Sequence, residues 1–266
     1  MPKLGAEATK RREQAAHGPE HSEALARGLA ILGAFGPDRR QMTLAEVARA
    51  VDLPRATARR ALLTLVHLGL VESDGRLFRL TPRVLRLASG YLGANGVSSV
   101  LQPLCERLAA TTVSACSVAM LDGADIVFVA YGIPARLVPV NTMIGTRLPA
   151  HCTALGRVLL AALPDAALDA LLAASPPRAM TPRTETKPAR VRAAILAARE
   201  AGYAYVEEEM ELGFRSLAVP LRRYDGKVVA ALNIGTSLAL APEGDMVARL
   251  LPLLRSEAEE LSAQLV

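Results

Sequence analysis

The stretch Thr43–Leu65, TLAEVARAVDLPRATARRALLTL, constrains this chain more than any other. It predicts two short helices meeting at a tight turn. Thr43-x-x-Glu46 is a capping box, in which hydroxyl and carboxylate each satisfy a backbone N–H orphaned at a helix start. Leu44, Val47, Ala48 and Val51 then fall at i, i+3, i+4 and i+7, one apolar helix face. Asp52-Leu53-Pro54 interrupts, because Asp tolerates left-handed backbone angles and Pro suits the first position of a new helix. In the second helix Ala58, Ala61, Leu62 and Leu65 form an apolar stripe, leaving Arg55, Arg59 and Arg60 opposite and Thr57 near the start. A basic second helix after a tight turn is what a major-groove reader needs. An ordinary helical hairpin with a solvated basic face has the same pattern, and the surrounding sequence must separate the two.

Charge separates them. Residues 1–92 hold 15 Lys and Arg against 9 Asp and Glu, a net charge of +6, whereas residues 93–266 are at −1. The basic excess coincides with the two-helix motif, as expected of a polyanion-binding module joined to a near-neutral one. At 266 residues the chain has room for two domains, and 51% hydrophobic residues supply a core built from Ala, Leu and Val, since there is no Trp and only 3% aromatic content. No apolar run reaches the ~18 residues of a membrane span, and residues 1–20 read as a disordered basic tail with no signal-peptide core. Cys105, Cys116 and Cys152 are odd in number and widely spaced, which points to a reducing cytoplasm rather than a disulfide framework.

Around the motif, Ser22–Phe35 predicts a helix with Leu25, Leu29, Leu32 and Phe35 inward, ended by Gly36-Pro37-Asp38. Residues 71–80 predict a hairpin about Asp74-Gly75, with Phe78 and Leu80 packed and Arg76 and Arg79 outward. Three helices and a basic two-stranded ribbon make a winged helix-turn-helix over residues 21–81. Pro82 opens a linker helix with Val84, Leu85, Ala88 and Leu92 on one side, and Gly93-Ala94-Asn95-Gly96 is the expected hinge, so linker and hinge occupy 82–96. Residues 97–266 predict a second domain. Its strands are expected at Ser114–Leu121, Ile126–Tyr131, Leu137–Val140, Tyr203–Glu208, Ser216–Leu221 and Val228–Ile234. Gly145–Arg157 reads as a loop entering a helix to Leu163, with further helices at Asp165–Ala174, Pro188–Ala201 and Glu243–Ala263. The expected fold class is α+β, with a mostly antiparallel sheet flanked by helices.

On DNA, Arg55 and Arg59 lie four apart and can reach guanine O6 and N7. Arg60, Arg76 and Arg79 suit phosphates; for Arg60 the alternative is an ion pair with Glu46. In the second domain the helix start at Thr153, Ala154, Leu155 and Gly156 presents free N–H groups to an anion such as a carboxylate. Leu137, Met143, Leu155 and Leu232 are candidate apolar walls, although Leu232 neighbours Asn233 on a strand and faces the other way if Asn233 faces in. Arg136, Arg147 and His151 are possible charge partners, with a loop clamp the competing role for Arg147 and a capping or core role for His151. Catalysis finds little support. There is no Gly-x-Ser-x-Gly, no Cys-x-x-Cys, and no metal-ligand spacing among His17, His21, His67 and His151, so no catalytic residue, metal or cofactor is expected.

Four segments, ALARGLAILGAF, LPRATARRALLTLVHLGLV, GTRLPAHCTALGRVLLA and GFRSLAVPLRRYDGKVVAALNI, resemble in order the IclR family of transcriptional regulators. The last two look most like the branch governing aromatic-acid catabolism. The resemblance covers almost everything from Ser22 onward. It implies a winged helix-turn-helix joined by a linker helix to a GAF-like effector domain. It also implies double-stranded operator DNA and a small carboxylate effector as partners, a homodimer or dimer of dimers, and no membrane. For the branch, the effector is 4-hydroxybenzoate or protocatechuate; a short 2-oxo acid serving another pathway is the alternative, and a processing enzyme the remote one. Family members bind carboxylates at the helix start and at residues matching Ser216, Asn233 and Gly235. Asp52 and Ala56 stand where the family often has Gly and Ser, and Ser216 where some members have Cys. The recognition surface is thus Arg55, Ala56, Thr57, Arg59 and Arg60, with Ala56 lacking a phosphate-binding hydroxyl.

Overall fold

A computed structural model describes residues 20–36, 38–94, 97–134, 143–239, 246–262 and 264. The chain divides into two compact units, residues 1–90 and 91–266. The basic tail at 1–19, the whole strand expected at 137–140 with Arg136 and Leu137, and residues 95–96 and 243 lie outside the described residues.

The first unit opens with α1 (Glu23–Gly33), capped by the Ser22 hydroxyl. A two-residue strand β1 (Met42–Thr43) runs directly into α2 (Leu44–Ala50), and α3 (Arg55–His67) follows. Both halves of the capping box are present. Thr43 N–H donates to Glu46 Oε2 at 2.7 Å and Glu46 N–H to Thr43 Oγ1 at 3.4 Å. These bonds hold the Glu46 carboxyl below its ordinary range. Asp52 takes φ +48°, the left-handed angle the turn demands. Pro54 caps α3 rather than occupying its first turn, because its carbonyl accepts from Thr57 and Ala58 while its own backbone is extended. Val47, Leu62 and Leu65 bury together with Ile31, Val71 and Phe78, and Ala58 is fully buried as well.

The ribbon consists of β2 (Val71–Ser73) and β3 (Leu77–Leu80), but β1 joins it in the order β1-β3-β2, so the wing has three strands. A strand of two residues has no period to read, which is why the sequence gives no sign of it. Of the four residues expected inward on the first helix, Leu32 and Phe35 pack against the core and Leu25 and Leu29 do not. Ile31 is the buried anchor of α1, while Leu25 and Leu29 are 63% and 56% exposed. The leucine stripe exists, but it lines an open groove beside Leu65 of α3 and Leu68 just past its end.

The linker helix α4 spans Leu85–Ala94 after a 3₁₀ turn at Pro82–Val84. Of the side formed by Val84, Leu85, Ala88 and Leu92, Leu85 is 65% exposed and Ala88 is exposed, whereas Val84 is half-buried and Leu92 is half-buried against the core of the second unit. Gly93 and Ala94, expected in a hinge, belong to this helix.

The second unit is one antiparallel six-stranded sheet flanked on both faces. After a π-helical turn at Val97–Leu101, α5 (Gln102–Thr112) leads to β4 (Ala115–Asp122) and β5 (Asp125–Gly132). The expected loop at 145–157 is instead an edge strand β6 (Arg147–Pro149), a 3₁₀ turn (Ala150–Cys152) and α6 (Ala154–Ala161). Then come α7 (Asp165–Ala174), α8 (Pro188–Ala201), β7 (Ala204–Glu207), β8 (Phe214–Arg222), β9 (Val228–Ser237) and α9 (Met246–Ser262). The strand order is β6-β5-β4-β9-β8-β7. Alternation along the strands sorts the two faces. Cys116, Val118, Leu217, Val219, Leu232 and Ile234 pack under α5 and α9. Ala119, Ala218 and Ala231 face the other way, and these small residues let α6 approach the sheet closely. Leu232 is therefore core on the far face, not a wall of the site.

Candidate functional site

The small-residue face continues past the first turn of α6, and there its side chains do not fill the space. Ala115 and Ser117 of β4, Ser216 of β8, and Asn233 and Gly235 of β9 floor a cavity with about 730 Å³ of atom-free space, its mouth included. Phe128, Tyr131, Leu148, Leu155 and Phe214 give it apolar and aromatic walls. Its polar groups are few and placed. Ser117 Oγ donates to Asn233 Oδ1 at 2.5 Å. Ser216 is 8% exposed, and its hydroxyl makes no side-chain hydrogen bond among the described residues.

The helix start sits at the edge of this cavity. Thr153 caps α6 by accepting from Gly156 N–H at 3.1 Å, which removes Gly156 from the expected set of free donors. The N–H groups of Ala154 and Leu155 have no acceptor among the described residues, and Thr153 and Leu155 both line the cavity. Gly156 matters for another reason: a Cβ there would lie 2.1 Å from the Ala150 carbonyl oxygen, so only glycine lets the 3₁₀ turn fold back on the helix.

Three expected residues lie elsewhere. Met143 is 59% exposed and its N–H bonds Thr146. His151 points away, its Nε2 lying 3.0 Å from the Arg178 carbonyl, and burial pushes its pKa down, which keeps the ring neutral. Arg147 clamps Asp122 and Asp125, the structural role weighed against charge pairing.

The β7–β8 loop contributes what sequence reading missed. Glu208, Glu209, Met210 and Glu211 line one side of the cavity. Glu209 is paired with Arg157 of α6 at 2.7 Å, and Glu208 with Arg183. Glu211 has no side-chain partner among the described residues. Cys152 completes this wall beside the Met210 sulfur at 3.8 Å; burial pushes its thiol up to about 12, so it stays protonated. The acidic run Glu207–Glu209 between two strand patterns was the available signal for this wall.

In the first unit Arg55, Ala56, Arg59 and Arg60 are exposed on α3, and Thr57 is half-buried. Arg55, Arg59, Arg60 and Arg76 form no ion pair among the described residues. Glu46 is occupied by Thr43, which removes the alternative partner considered for Arg60. Arg79 differs from expectation: it lies opposite Glu72 in the wing and pairs with it at 2.6 Å.

A helix-turn-helix with unpaired arginines in one unit, and a small-molecule cavity in the other, define a ligand-responsive DNA-binding regulator. Residues 24–75 match the IclR helix-turn-helix domain and residues 89–263 the bacterial transcriptional regulator IclR C-terminal domain. The chain belongs to the IclR family. It is 37% identical over 265 residues to the Pca regulon regulatory protein of Pseudomonas putida, covering 99% of this chain and 91% of that one. It is 36% identical over 242 residues to the p-hydroxybenzoate hydroxylase transcriptional activator of Acinetobacter baylyi, covering 89% of each. An IclR homolog from Microbacterium hydrocarbonoxydans, solved in complex with 4-hydroxybenzoate, superposes with a TM-score of 0.75 at 27% identity, over 90% of this chain and 98% of that one. No helix among the described residues is long and apolar enough to cross a membrane.

Proposed function

We propose that this regulator binds an aromatic monocarboxylic acid such as 4-hydroxybenzoate or protocatechuate in the cavity between α6 and the sheet, and that occupancy changes its affinity for an operator. The observation carrying this reading is the cavity itself. Free N–H groups at the α6 start suit a carboxylate, aromatic walls suit a ring, and the Ser216 hydroxyl, without a side-chain hydrogen bond, suits a polar group. The complex of the Microbacterium homolog with 4-hydroxybenzoate supports the same ligand class. Thr153, Ala154, Leu155, Ser216, Asn233 and Gly235 form the binding set. Met143, His151 and Gly156 support the fold around it.

Arg55 and Arg59 read base edges in the major groove, with Ala56 and Thr57 beside them, and Arg60 and Arg76 hold phosphates. Residues 21–81 act as the DNA-binding domain, 82–96 as linker and 97–266 as effector domain, working in the cytoplasm as a homodimer or dimer of dimers on paired half-sites. A tenfold change in operator affinity requires only ~1.4 kcal/mol of differential ligand binding to two states.

A thermal-shift panel of benzoates, protocatechuate, shikimate and short 2-oxo acids tests the ligand class. An aromatic acid should be the clear stabiliser, and Ser216→Leu should abolish its effect while operator binding persists. Stabilisation by a 2-oxo acid alone, or an unchanged response in Ser216→Leu, would overturn the assignment.

A further inference from the structure

Strand β5 departs from regular pairing at one point, and the departure lies beside the cavity. Val118 of β4 is opposite Ala130 and Ala119 is opposite Phe128, so Val129 is an extra residue in β5, a β-bulge. In a regular strand, residues three apart face opposite sides of the sheet. Here Val129 and Ala130 both bury in the core under α5 and α9, while Phe128 and Tyr131 both line the cavity. Their rings meet edge to face, with centroids 6.4 Å apart and planes at 79°. Tyr131 is also the cross-strand neighbour of Ser117 in the cavity floor. Its backbone is held from outside the cavity. β6 pairs with β5 from Asp125 to Val127 only. Beyond that, the Gln102 side chain takes the place of a neighbouring strand. Its Oε1 accepts from Tyr131 N–H at 3.1 Å, and its Nε2 donates to the Tyr131 carbonyl at 3.0 Å. Gly132 lets α5 bring Gln102 this close, since a Cβ there would lie 2.3 Å from the Cys105 carbonyl oxygen.

Two nearly perpendicular rings form a corner. A flat ring filling it is stacked with an offset on one and edge-on to the other, the two arrangements aromatic rings prefer. A saturated ring of the same size is puckered and has no quadrupole, so it keeps the apolar burial and loses this part of the attraction. We infer that Tyr131 is a specificity-determining residue of the effector site, selecting aromatic over saturated ring acids, and that Gln102 is the positioning residue that holds its ring to the cavity. This rests on the assignment of the cavity as an aromatic-acid site. The bulge is what makes the corner. Without the extra residue, alternation would turn Tyr131 toward the α5 side of the sheet and leave Phe128 as a single wall.

Titration calorimetry on the full chain tests this with 4-hydroxybenzoate and trans-4-hydroxycyclohexanecarboxylate, which share a carboxylate and a hydroxyl at opposite ends of a six-membered ring. The wild type should bind the aromatic acid about fivefold more tightly, the scale of an aromatic pair beyond its area burial. Tyr131→Leu should bring the ratio below about twofold by weakening the aromatic acid alone, and Tyr131→Phe, which keeps the ring, should preserve it. Gln102→Met should shrink the ratio as well, although residue 102 is outside the cavity; a purely structural role would lower the melting temperature and weaken both ligands alike. Equal affinities in the wild type, or an unchanged ratio in Tyr131→Leu, would overturn the role of Tyr131 while leaving the cavity assignment standing. Loss of the ratio in Tyr131→Phe would do the same, by assigning the selection to the hydroxyl. An unchanged ratio in Gln102→Met would remove the positioning role. Binding of neither acid would overturn the cavity assignment and the inference together.

Discussion

Arg157 and Glu209 form a nearly buried ion pair at 2.7 Å, their side chains 9% and 14% exposed. Arg157 Nε also donates to the His151 carbonyl at 3.0 Å. The pair fastens α6, whose start lines the cavity, to the loop between β7 and β8 that also lines it. Removing one partner strands the other charge away from water, which costs about 3 kcal/mol or more for a buried pair. Glu209→Ala should lower the denaturation midpoint accordingly and weaken ligand binding. Glu209→Gln, which can still accept from the guanidinium, should lose less. Chemical denaturation with and without ligand reads both effects.

Arg59→Ala should weaken operator binding while leaving stability within about 0.5 kcal/mol, since the side chain is exposed and unpaired. Loss of a base contact costs about 1–3 kcal/mol of discrimination. Unchanged affinity in a mobility-shift titration would remove Arg59 from the recognition surface.

The two wing arginines should separate under salt. Arg76 lies unpaired at the turn, whereas Arg79 is engaged with Glu72. Arg76→Ala should reduce the slope of log affinity against log salt by about 0.9, the value for one phosphate contact, and Arg79→Ala by less. Equal slopes for the two variants would show that the Glu72 pair opens on DNA.

His151 sets an acid limit. Its pKa is lowered in the folded protein by burial, against the competing raising effect of its bond to Arg178. The unfolded chain therefore takes up the proton first. Stability holds above the unfolded histidine value of about 6.5 and falls as pH drops below it toward the folded value. His151→Gln should flatten this part of the stability–pH curve, measured by urea denaturation between pH 5 and 7.

Gly156→Ala should be strongly destabilising for a position that is helical and conformationally ordinary. The added methyl would meet the Ala150 carbonyl, which is backbone and cannot swing aside. A loss above about 1 kcal/mol is expected, with ligand binding impaired through displacement of the Thr153 cap.

How far these features were legible from sequence follows their spacing. The capping box at Thr43 and Glu46, the left-handed turn at Asp52 and the Asp-Gly hairpins are local signals, and each element they mark is present. The helices at Asp165–Ala174 and Pro188–Ala201 fall at the expected residues because their periodicity is uninterrupted. Strands β1 and β6 are too short to have a period. Leu25 and Leu29 make a correct stripe, but periodicity does not say whether a groove is open or filled. The cavity was half legible. Its helix start is a local motif, whereas the Ser117–Asn233 bond joins residues 116 apart, and nothing in either neighbourhood announces the other. One signal was available: Ala115 and Ser117 alternate with the apolar Cys116 and Val118 of the same strand, the mark of a face that is buried but not filled.

That long-range bond has a consequence for how the protein is made. The cavity floor joins β4 to β9 across the centre of the sheet, so it cannot close until almost the whole chain has left the ribosome. The winged-helix unit closes on contacts within residues 1–90 and is ready much earlier. During each round of synthesis there is an interval in which the arm that grips DNA exists and the ear that listens for the metabolite does not.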